Sequence, residues 1–275
     1  MVRAEENNLA RRMPNAAWAW EGLRRNPDYR RAYFSARHIL PSNIELFSGA
    51  TLLRAKRRDL VAEDWGLLSL ADPRLSAKTV KAFWRPDVLA GSLEVRLSPL
   101  TEAEKNSPQD HDIISLAGLQ TRRVLLETVD GGRHILLSGS RFWIQLYCPK
   151  PSVVGEYAHV GIRLNEATYM KRRMDTAAQL LSLYRAEGGR IGLIGRRRNT
   201  KRLSDILTAF DIWHGFERPK GTLKDVAEML VGSTRIASDW GKDDRALKAQ
   251  ARRAIEAGEE FVAGNYGKLL AQKVL

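Results

Sequence analysis

Residues 242–262 have the sequence KDDRALKAQARRAIEAGEEFV, which predicts an amphipathic helix and sets the interpretation of the rest of the chain. At about 100° per residue, the α-helical step, one side carries the apolar residues Leu247, Ala251, Ala254, Ile255, Gly258, Phe261 and Val262. Roughly opposite lie the cations Lys242, Arg245, Lys248, Arg252 and Arg253. One face is predicted to pack and the other to offer charge, as in a helix that enters the major groove of DNA. A solvated surface helix has the same pattern, so the prediction needs support from elsewhere.

Charge supplies part of that support. The 275 residues include 45 Lys and Arg against 32 Asp and Glu, which gives a net charge of +13. Residues 1–60 hold 12 cations against 6 anions, residues 61–170 hold 12 against 13, and residues 171–275 hold 21 against 13. This excess favours a nucleic-acid partner. A neutral middle between basic ends indicates a scaffold that positions two charged surfaces, although residues 1–14 are also interpretable as a flexible arm.

Composition excludes several classes of protein. The single cysteine, Cys148, leaves no intrachain disulfide and no thiolate zinc site. No apolar run approaches the roughly 20 residues that span a bilayer, and the first residues lack the apolar segment of a signal peptide. We therefore expect a cytoplasmic protein, with no membrane association and no cofactor.

The N-terminal residues 1–60 are predicted to form a helical module. Asn15 is a plausible N-cap for a short helix that ends at Arg25, and Asn26-Pro27 breaks it. A second helix follows, with Tyr29, Tyr33 and Phe34 on one side. Residues 44–53 fit either a strand or a short helix.

The central residues 61–164 are predicted to form a small antiparallel β-sheet. Residues 80–84 suggest a strand before a turn, and Leu93, Val95 and Leu97 alternate with polar residues. Three further apolar runs, at 124–126, 134–137 and 142–147, are separated by the turn sequences 130–132 and 138–140. Residues 101–112 are expected to be an exposed loop.

The C-terminal residues 165–275 return to helical periodicity. One helix carries Met174, Ala177, Ala178, Leu181 and Tyr184 on one face and should end at Gly188-Gly189; the next carries Leu203, Ile206, Leu207, Phe210 and Trp213. Thr222 caps a short helix that Gly232 closes. Followed by the basic last helix, this order predicts a helix-turn-helix-like domain, with residues 233–242 as an unusually long turn held by Trp240. The fold class is therefore α+β.

No catalytic constellation emerges from the sequence, so we expect a protein that is not an enzyme and holds no metal. The five histidines lack metal-site spacing, and residues 189–195 do not form a phosphate-binding loop. Residues 214–218 miss the His-x-x-Arg pattern of tyrosine recombinases. Asp64, Asp72 and Asp87 suit turns better than a magnesium nuclease site, which stays a distant alternative.

Two stretches resemble known families. The segment GTLKDVAEMLVG at 221–232, Asp239-Trp240, Arg252-Arg253 and GNYGKLL at 264–270 resemble the proteobacterial DNA-binding domain family typified by the RovC activator. The segment WEGLRRNPDYR at 20–30 resembles the small regulator domain common on rhizobial mobile elements. The resemblance implies a transcriptional activator of excision genes of integrative and conjugative elements, with a small antiactivator protein as a partner. Many relatives have Gly-Arg-Pro where this chain has Gly195-Arg196-Arg197.

Together, these features predict a sequence-specific transcriptional activator that binds double-stranded promoter DNA. Arg245, Lys248 and Arg252 are the candidates for base contact. Phosphate contact is assigned to Arg196, Arg197, Arg198, Lys201, Arg202, Lys224 and Arg235. Lys242 and Arg253 complete the predicted DNA-binding set. A homo-oligomer is expected, because activators usually bind repeated half-sites. The alternative is an RNA-binding or non-specific nucleic-acid-binding protein.

Overall fold

A computed structural model of the chain describes residues 13–36, 40–46, 49–99, 101–106, 119, 121–139, 141–150, 158–164, 169–185, 200–242 and 244–271. Its elements in chain order are α1 Asn15–Leu23, α2 Pro27–Ala36, β1 Ser42–Glu45, β2 Thr51–Arg54, α3 Leu60–Asp64, β3 Leu93–Pro99, α4 Glu102–Asn106, β4 Arg122–Glu127, β5 Arg133–Ser138, β6 Trp143–Cys148, β7 Ala158–Arg163, α5 Met170–Arg185, α6 Thr200–His214, α7 Leu223–Val231, α8 Ser233–Asp239, α9 Arg245–Glu260, a π-helical turn Phe261–Asn265, and α10 Gly267–Leu270.

The two predicted N-terminal helices are confirmed. Residues 16–23 of α1 are all buried, so this helix is part of the core rather than a surface helix. Pro14 occupies the cap position, so the prediction of Asn15 as N-cap is wrong; the Asn15 side-chain amide instead donates to the Leu269 carbonyl at 3.5 Å. Asn26 caps α2, because its Oδ1 accepts from the backbone N–H of Asp28 at 2.8 Å and of Tyr29 at 3.1 Å.

The described strands form one seven-stranded sheet in the order β1-β2-β4-β5-β6-β3-β7. The predicted strands at 93–97, 124–126, 134–137 and 142–147 are confirmed. The expectation of a purely antiparallel sheet is wrong, because β2 pairs with β4 and β3 pairs with β6 in parallel. Residues 44–53 contribute the hairpin β1–β2 to this sheet. Long connections allow these parallel pairs, since each pair is distant in sequence.

Two segments of the central region differ from their predictions. Residues 80–84 do not form a strand; only one bridge, Leu67 to Trp84, is present there. The backbone of Trp84 bonds instead to the buried side chain of Gln145, whose Oε1 accepts from the Trp84 N–H at 3.0 Å and whose amide donates to the Trp84 carbonyl. In the predicted loop 101–112, residues 102–106 form α4, and residues 107–112 lie outside the described residues.

The sheet separates two hydrophobic cores, because neighbouring residues of a strand point to opposite faces. Leu53 and Leu126 belong to a first core with α1, α2, α6 and residues 261–270. Leu52 and Leu125 belong to a second core that includes Leu180 of α5. Helices α1, α2 and α6 thus pack against one face of the sheet, and α5 packs against the other. The domain limits at residues 60 and 164 remain a prediction.

The C-terminal helices enclose a third core, which comprises Ala209, Ile212, Val226, Ala227, Ile236, Leu247, Ala251 and Ile255. The predicted helices α5, α6, α7 and α9 are all confirmed, while Gly188-Gly189 lies outside the described residues. Thr222 caps α7 through a reciprocal capping box with Asp225.

The predicted turn at 233–242 is wrong in one respect, because seven of its residues form α8. Gly232, at φ 92°, ends α7 and precedes α8 directly. Ile236 is the buried residue of this short helix, which has too few apolar positions to show a helical period. Trp240 packs against the third core, so its predicted role as an anchor is confirmed.

Close packing of α9 against α6 depends on Gly258. A Cβ atom at this position would lie 2.5 Å from the Ile206 carbonyl oxygen and 3.1 Å from the Phe210 Cβ. We expect Gly258→Ala to lower the free energy of unfolding by about 1–3 kcal/mol through overpacking. Urea denaturation measures this loss. Gly267→Ala is the control, because nothing lies within 4 Å of its Cβ position; an equal loss in both variants would contradict the close-packing argument.

Candidate nucleic-acid interface

The last long helix, α9, presents one buried and one exposed face, as predicted. Leu247, Ala251, Ile255 and Gly258 are buried against the neighbouring helices, and Ala254 is half-buried. Phe261 and Val262 continue the buried side into the π-helical turn. Helices α6 and α7 both contact α9, so two packed helices fix its orientation. The opposite face is therefore held rigidly toward solvent.

The exposed face of α9 is basic in its first half. Arg245 and Arg252 are exposed, and within the described part of the chain neither pairs with a carboxylate. Arg253 is also exposed, and its Nε donates to the Ala249 carbonyl at 3.3 Å. Ala249, which lies between these arginines on the same face, has a short and exposed side chain. Two guanidinium groups are thus available to a ligand that approaches the helix closely.

The charges of α9 run against the helix dipole. Arg245 and Lys248 lie in the first turn, whereas Glu259 and Glu260 lie in the last. A helix favours anions at its N-terminus and cations at its C-terminus, by about 0.3–1 kcal/mol for each charge. The N-cap residue Asp244 supplies the anion that the dipole favours, but Arg245 in the first turn gains nothing from the dipole. This order of charges suits an anionic ligand bound beside the first half of the helix.

Lys248 is held differently from the two arginines. Its ammonium lies 2.8 Å from a carboxylate oxygen of Asp244 and 5.5 Å from the ring centroid of Trp240. The same carboxylate accepts from the Gly241 backbone N–H at 3.0 Å. The hydrogen bond from Lys248 holds the pKa of Asp244 below its ordinary value. Lys248 thus stabilises the connection between α8 and α9, and its contact with bases stays a prediction.

The other predicted DNA-binding cations lie on the helices around the third core. Lys201 and Arg202 are exposed in the first turn of α6, Lys224 is exposed in the first turn of α7, and Lys242 is exposed before α9. Arg235 of α8 is exposed and forms an ion pair with Asp239 at 3.6 Å. Arg196, Arg197 and Arg198 lie outside the described residues. DNA contact by all of these residues remains a prediction.

A buried ionic network, which the sequence did not reveal, joins α1 to the end of α6. Glu21 accepts hydrogen bonds from Arg24 and Arg25, both at 2.6 Å, and from the Ala77 backbone N–H at 2.8 Å. Arg25 makes a bidentate pair with Asp211, at 2.7 and 2.9 Å. Arg24 makes a second bidentate pair with Glu217, at 2.7 and 3.1 Å. The network fixes the N-terminal helix relative to the C-terminal helices.

The pKa of Glu21 depends on both arginines of this network. Burial alone raises the pKa of Glu21, but the charges of Arg25 and Arg24 outweigh burial and hold the pKa below its ordinary value. The ring of Phe216 lies beneath the same cations, with its centroid 5.0 Å from the Arg24 guanidinium and 4.9 Å from that of Arg25. The only sequence signal is a glutamate inside an otherwise apolar helix, at Glu21 between Trp20 and Gly22.

Metal-holding clusters and membrane-spanning helices are both absent from the described residues. Among them, no group of three or more His, Cys, Asp or Glu side chains is arranged to hold a metal ion. Of the described helices, none combines the length and the apolar character needed to cross a bilayer.

Comparison with known families agrees with the geometry of the C-terminal helices. Residues 164–271 match the family model described as "T6SS, Transcription factor, DNA binding domain". Residues 3–68 match the model described as "Proteobacterial transcriptional regulator-like domain". No protein with a curated description matches the chain. The first match contains α5 to α10, and the second contains α1 to α3.

Proposed function

We propose that this chain is a sequence-specific transcriptional activator that contacts base edges with the first half of α9. The two family matches support the broader statement that it is a DNA-binding transcriptional regulator. The exposed pair Arg245 and Arg252 carries the proposal. The two residues lie on one face, two turns apart, about 10 Å along the axis. That separation spans about three base-pair steps of roughly 3.4 Å each. Arginine is the side chain most often found on guanine in the major groove.

The charges around α9 support one docking orientation. The acidic residues Glu256, Glu259 and Glu260 occupy the second half of the helix and would be repelled by phosphates. The first half would therefore enter the groove, as in the helix-turn-helix geometry, in which the N-terminal residues of the second helix contact bases. The predicted phosphate contacts then come from the surrounding cations, namely Lys201, Arg202, Lys224, Arg235 and residues 196–198, with Lys242 and Arg253 as further DNA contacts.

The finer assignment extends the same proposal. The order of the two domains resembles the excisionase activator FseA, so the target is proposed to be excision or transfer genes of a mobile element. The protein would act in the cytoplasm as a homo-oligomer on repeated half-sites. A small antiactivator protein would be a further partner. No chemical reaction, metal or cofactor is part of the proposed activity.

Competition for a genomic DNA fragment tests sequence specificity. The purified protein is used to footprint genomic DNA, and the protected fragment is then used in gel shifts at physiological salt. We expect the complex to survive an excess of random duplex of about a thousandfold, the lower limit for specific binding proteins. Raising the salt concentration should weaken binding steeply, because phosphate contacts release counterions.

Two results, one from this competition and one from a cleavage assay, would contradict the proposal. Equal displacement of the fragment by random duplex or by RNA would favour a general nucleic-acid-binding protein. Cleavage of a plasmid with Mg²⁺, abolished by Asp64→Asn or Asp72→Asn, would establish a nuclease instead.

A further inference from the structure

An open groove with a volume of about 800 Å³ lies between α2 and the connection from α6 to α7. Four arginines line it, and a single carboxylate faces them: Arg25, Arg30, Arg31 and Arg74 against Glu217. The aromatic rings of Phe34 and Phe216 contribute to the same surface. The groove therefore combines several guanidinium groups with aromatic contact area, and it lies where the N-terminal helices meet the C-terminal helices.

The positive charge of the groove is partly neutralised within the protein, because Arg25 pairs with Glu21 and Asp211, and Arg74 pairs with Asp72. Glu217 is already bound to Arg24 by two hydrogen bonds. Arg30 has no carboxylate partner within the described parts of the chain, and its guanidinium lies 5.3 Å from the Phe216 ring centroid. Among the described residues Arg31 pairs only with Asp28, and both of those side chains are well exposed. The Arg74 side chain, paired with Asp72, is also mostly exposed, at 66%. Exposed pairs of this kind are worth about 0–1 kcal/mol, so an incoming anion can replace them.

Part of the apolar surface of the groove is exposed to solvent. Phe34 is 39% exposed, although its ring packs edge-on against Tyr33 at a centroid distance of 5.4 Å. The Arg74 guanidinium lies 5.9 Å from the Phe34 ring centroid. A ligand that fits must therefore carry several negative charges and an apolar or aromatic group. Duplex DNA presents its charges on the outside and its aromatic rings stacked inside, so it fits this surface poorly.

The position of the groove also separates it from the DNA-contacting half of α9. His214, which lines the groove, lies 2.8 Å from a carboxylate oxygen of Glu259, in the last turn of α9. Glu259 is about 21 Å along the helix axis from Arg245, at 1.5 Å per residue. The acidic end of α9 lies beside the groove and would repel a phosphate backbone there.

We propose that this groove binds an acidic polypeptide segment of a partner protein, one that carries an aromatic side chain among its Asp and Glu residues. The carboxylates pair with Arg30, Arg31 and Arg74, and the aromatic side chain packs against Phe34 and Phe216. Such a segment contacts α2 and the α6–α7 connection at once, so its binding strengthens or shifts the junction between the two matched regions. The proposal stands apart from base recognition by α9.

Fluorescence anisotropy with a defined probe tests the groove. The probe is a labelled peptide of Glu and Asp with one central Trp, and the matched peptide has Ser in place of Trp. We expect the full-length protein to bind the Trp peptide and Arg30→Glu or Arg31→Glu to weaken binding by about tenfold or more, which is about 1.4 kcal/mol. Lys150→Glu is the charge-matched control, because Lys150 is exposed and lies outside the groove; its effect should stay below about twofold.

Several outcomes would overturn the proposal. Equal losses in the Arg30→Glu and Lys150→Glu variants would mean that the peptide senses only net charge. Equal binding of the Trp and Ser peptides would remove the aromatic pocket. Displacement of the peptide by the footprinted duplex would make the groove part of the DNA surface. The peptide assay contains no DNA, so failure of the proposed function leaves its result unchanged.

Discussion

Glu21→Ala is expected to lower the free energy of unfolding by about 3–5 kcal/mol, the range for breaking a buried ion pair by removing one partner. The Glu21 side chain is 11% exposed, and it accepts hydrogen bonds from Arg24, Arg25 and the Ala77 backbone N–H. Its loss leaves two buried guanidinium groups with reduced compensation and one buried donor without a partner. Urea denaturation, with the slope checked for an unchanged transition, measures the effect.

The control for this variant is Glu94→Ala. Glu94 also pairs with an arginine, Arg163, at 2.9 Å, but the arginine side chain is 59% exposed. A surface pair of this kind contributes about 0–1 kcal/mol. A loss in Glu21→Ala no larger than that of Glu94→Ala would show that water replaces the carboxylate and that the network does not hold α1 in place.

The pH dependence of stability provides a second test of Glu21. The folded-state pKa of Glu21 lies below its ordinary value of 4.5, so the carboxylate contributes stability that is fully present above pH 4.5. That contribution is lost as the pH falls through the folded-state pKa. In the Glu21→Gln variant it is absent at every pH. The difference in unfolding free energy between wild type and Glu21→Gln should therefore shrink as the pH is lowered below 4.5.

Local periodicity predicted the helices and strands that bury one face. The spacing of Leu247, Ala251 and Ile255 predicted the buried side of α9, and the alternation of Leu93, Val95 and Leu97 predicted β3. These predictions succeed because burial of one face imposes a fixed period on the sequence. The same helical spacing predicted the cations on the opposite face of α9.

Contacts between distant residues could not be predicted in this way. The parallel pairing of β2 with β4 depends on long-range topology, which no local period encodes. The salt bridge from Arg25 to Asp211 joins two residues that are each surrounded by ordinary helical sequence. Helix α8 was missed because Gly232 indicated a turn and one buried residue, Ile236, sets no period. The groove beside Arg30 likewise exists only once α2 and α6 are packed together.

Arg245→Ala and Arg252→Ala are each expected to reduce the ratio of affinities for the footprinted fragment and for random duplex by about 1–3 kcal/mol, or about five- to 150-fold. Both side chains are exposed, and neither has a carboxylate partner in the described part of the chain. Their removal would thus cost contacts to DNA and no contact within the protein. Gel-shift titration against both DNA sequences measures the ratio.

The control for these variants is Lys201→Ala. Lys201 is exposed in the first turn of α6 and is assigned to phosphate. Its loss should weaken binding to both DNA sequences alike and reduce the salt dependence by about one phosphate contact. Equal losses on both sequences in Arg245→Ala or Arg252→Ala would show that these arginines also contact only phosphate.

Stability separates a role in binding from a role in folding at α9. Arg245 lies in the first turn, where a cation opposes the helix dipole, and alanine has the highest helix propensity. Arg245→Ala is therefore expected to retain or slightly raise the free energy of unfolding, by a few tenths of a kcal/mol, while it loses sequence discrimination. If Arg245→Ala lowered both the free energy of unfolding and the sequence discrimination, Arg245 would have a role in stabilising α9. If Arg245 serves DNA contact, Arg245→Ala should raise the free energy of unfolding and lower the discrimination between the two DNA sequences.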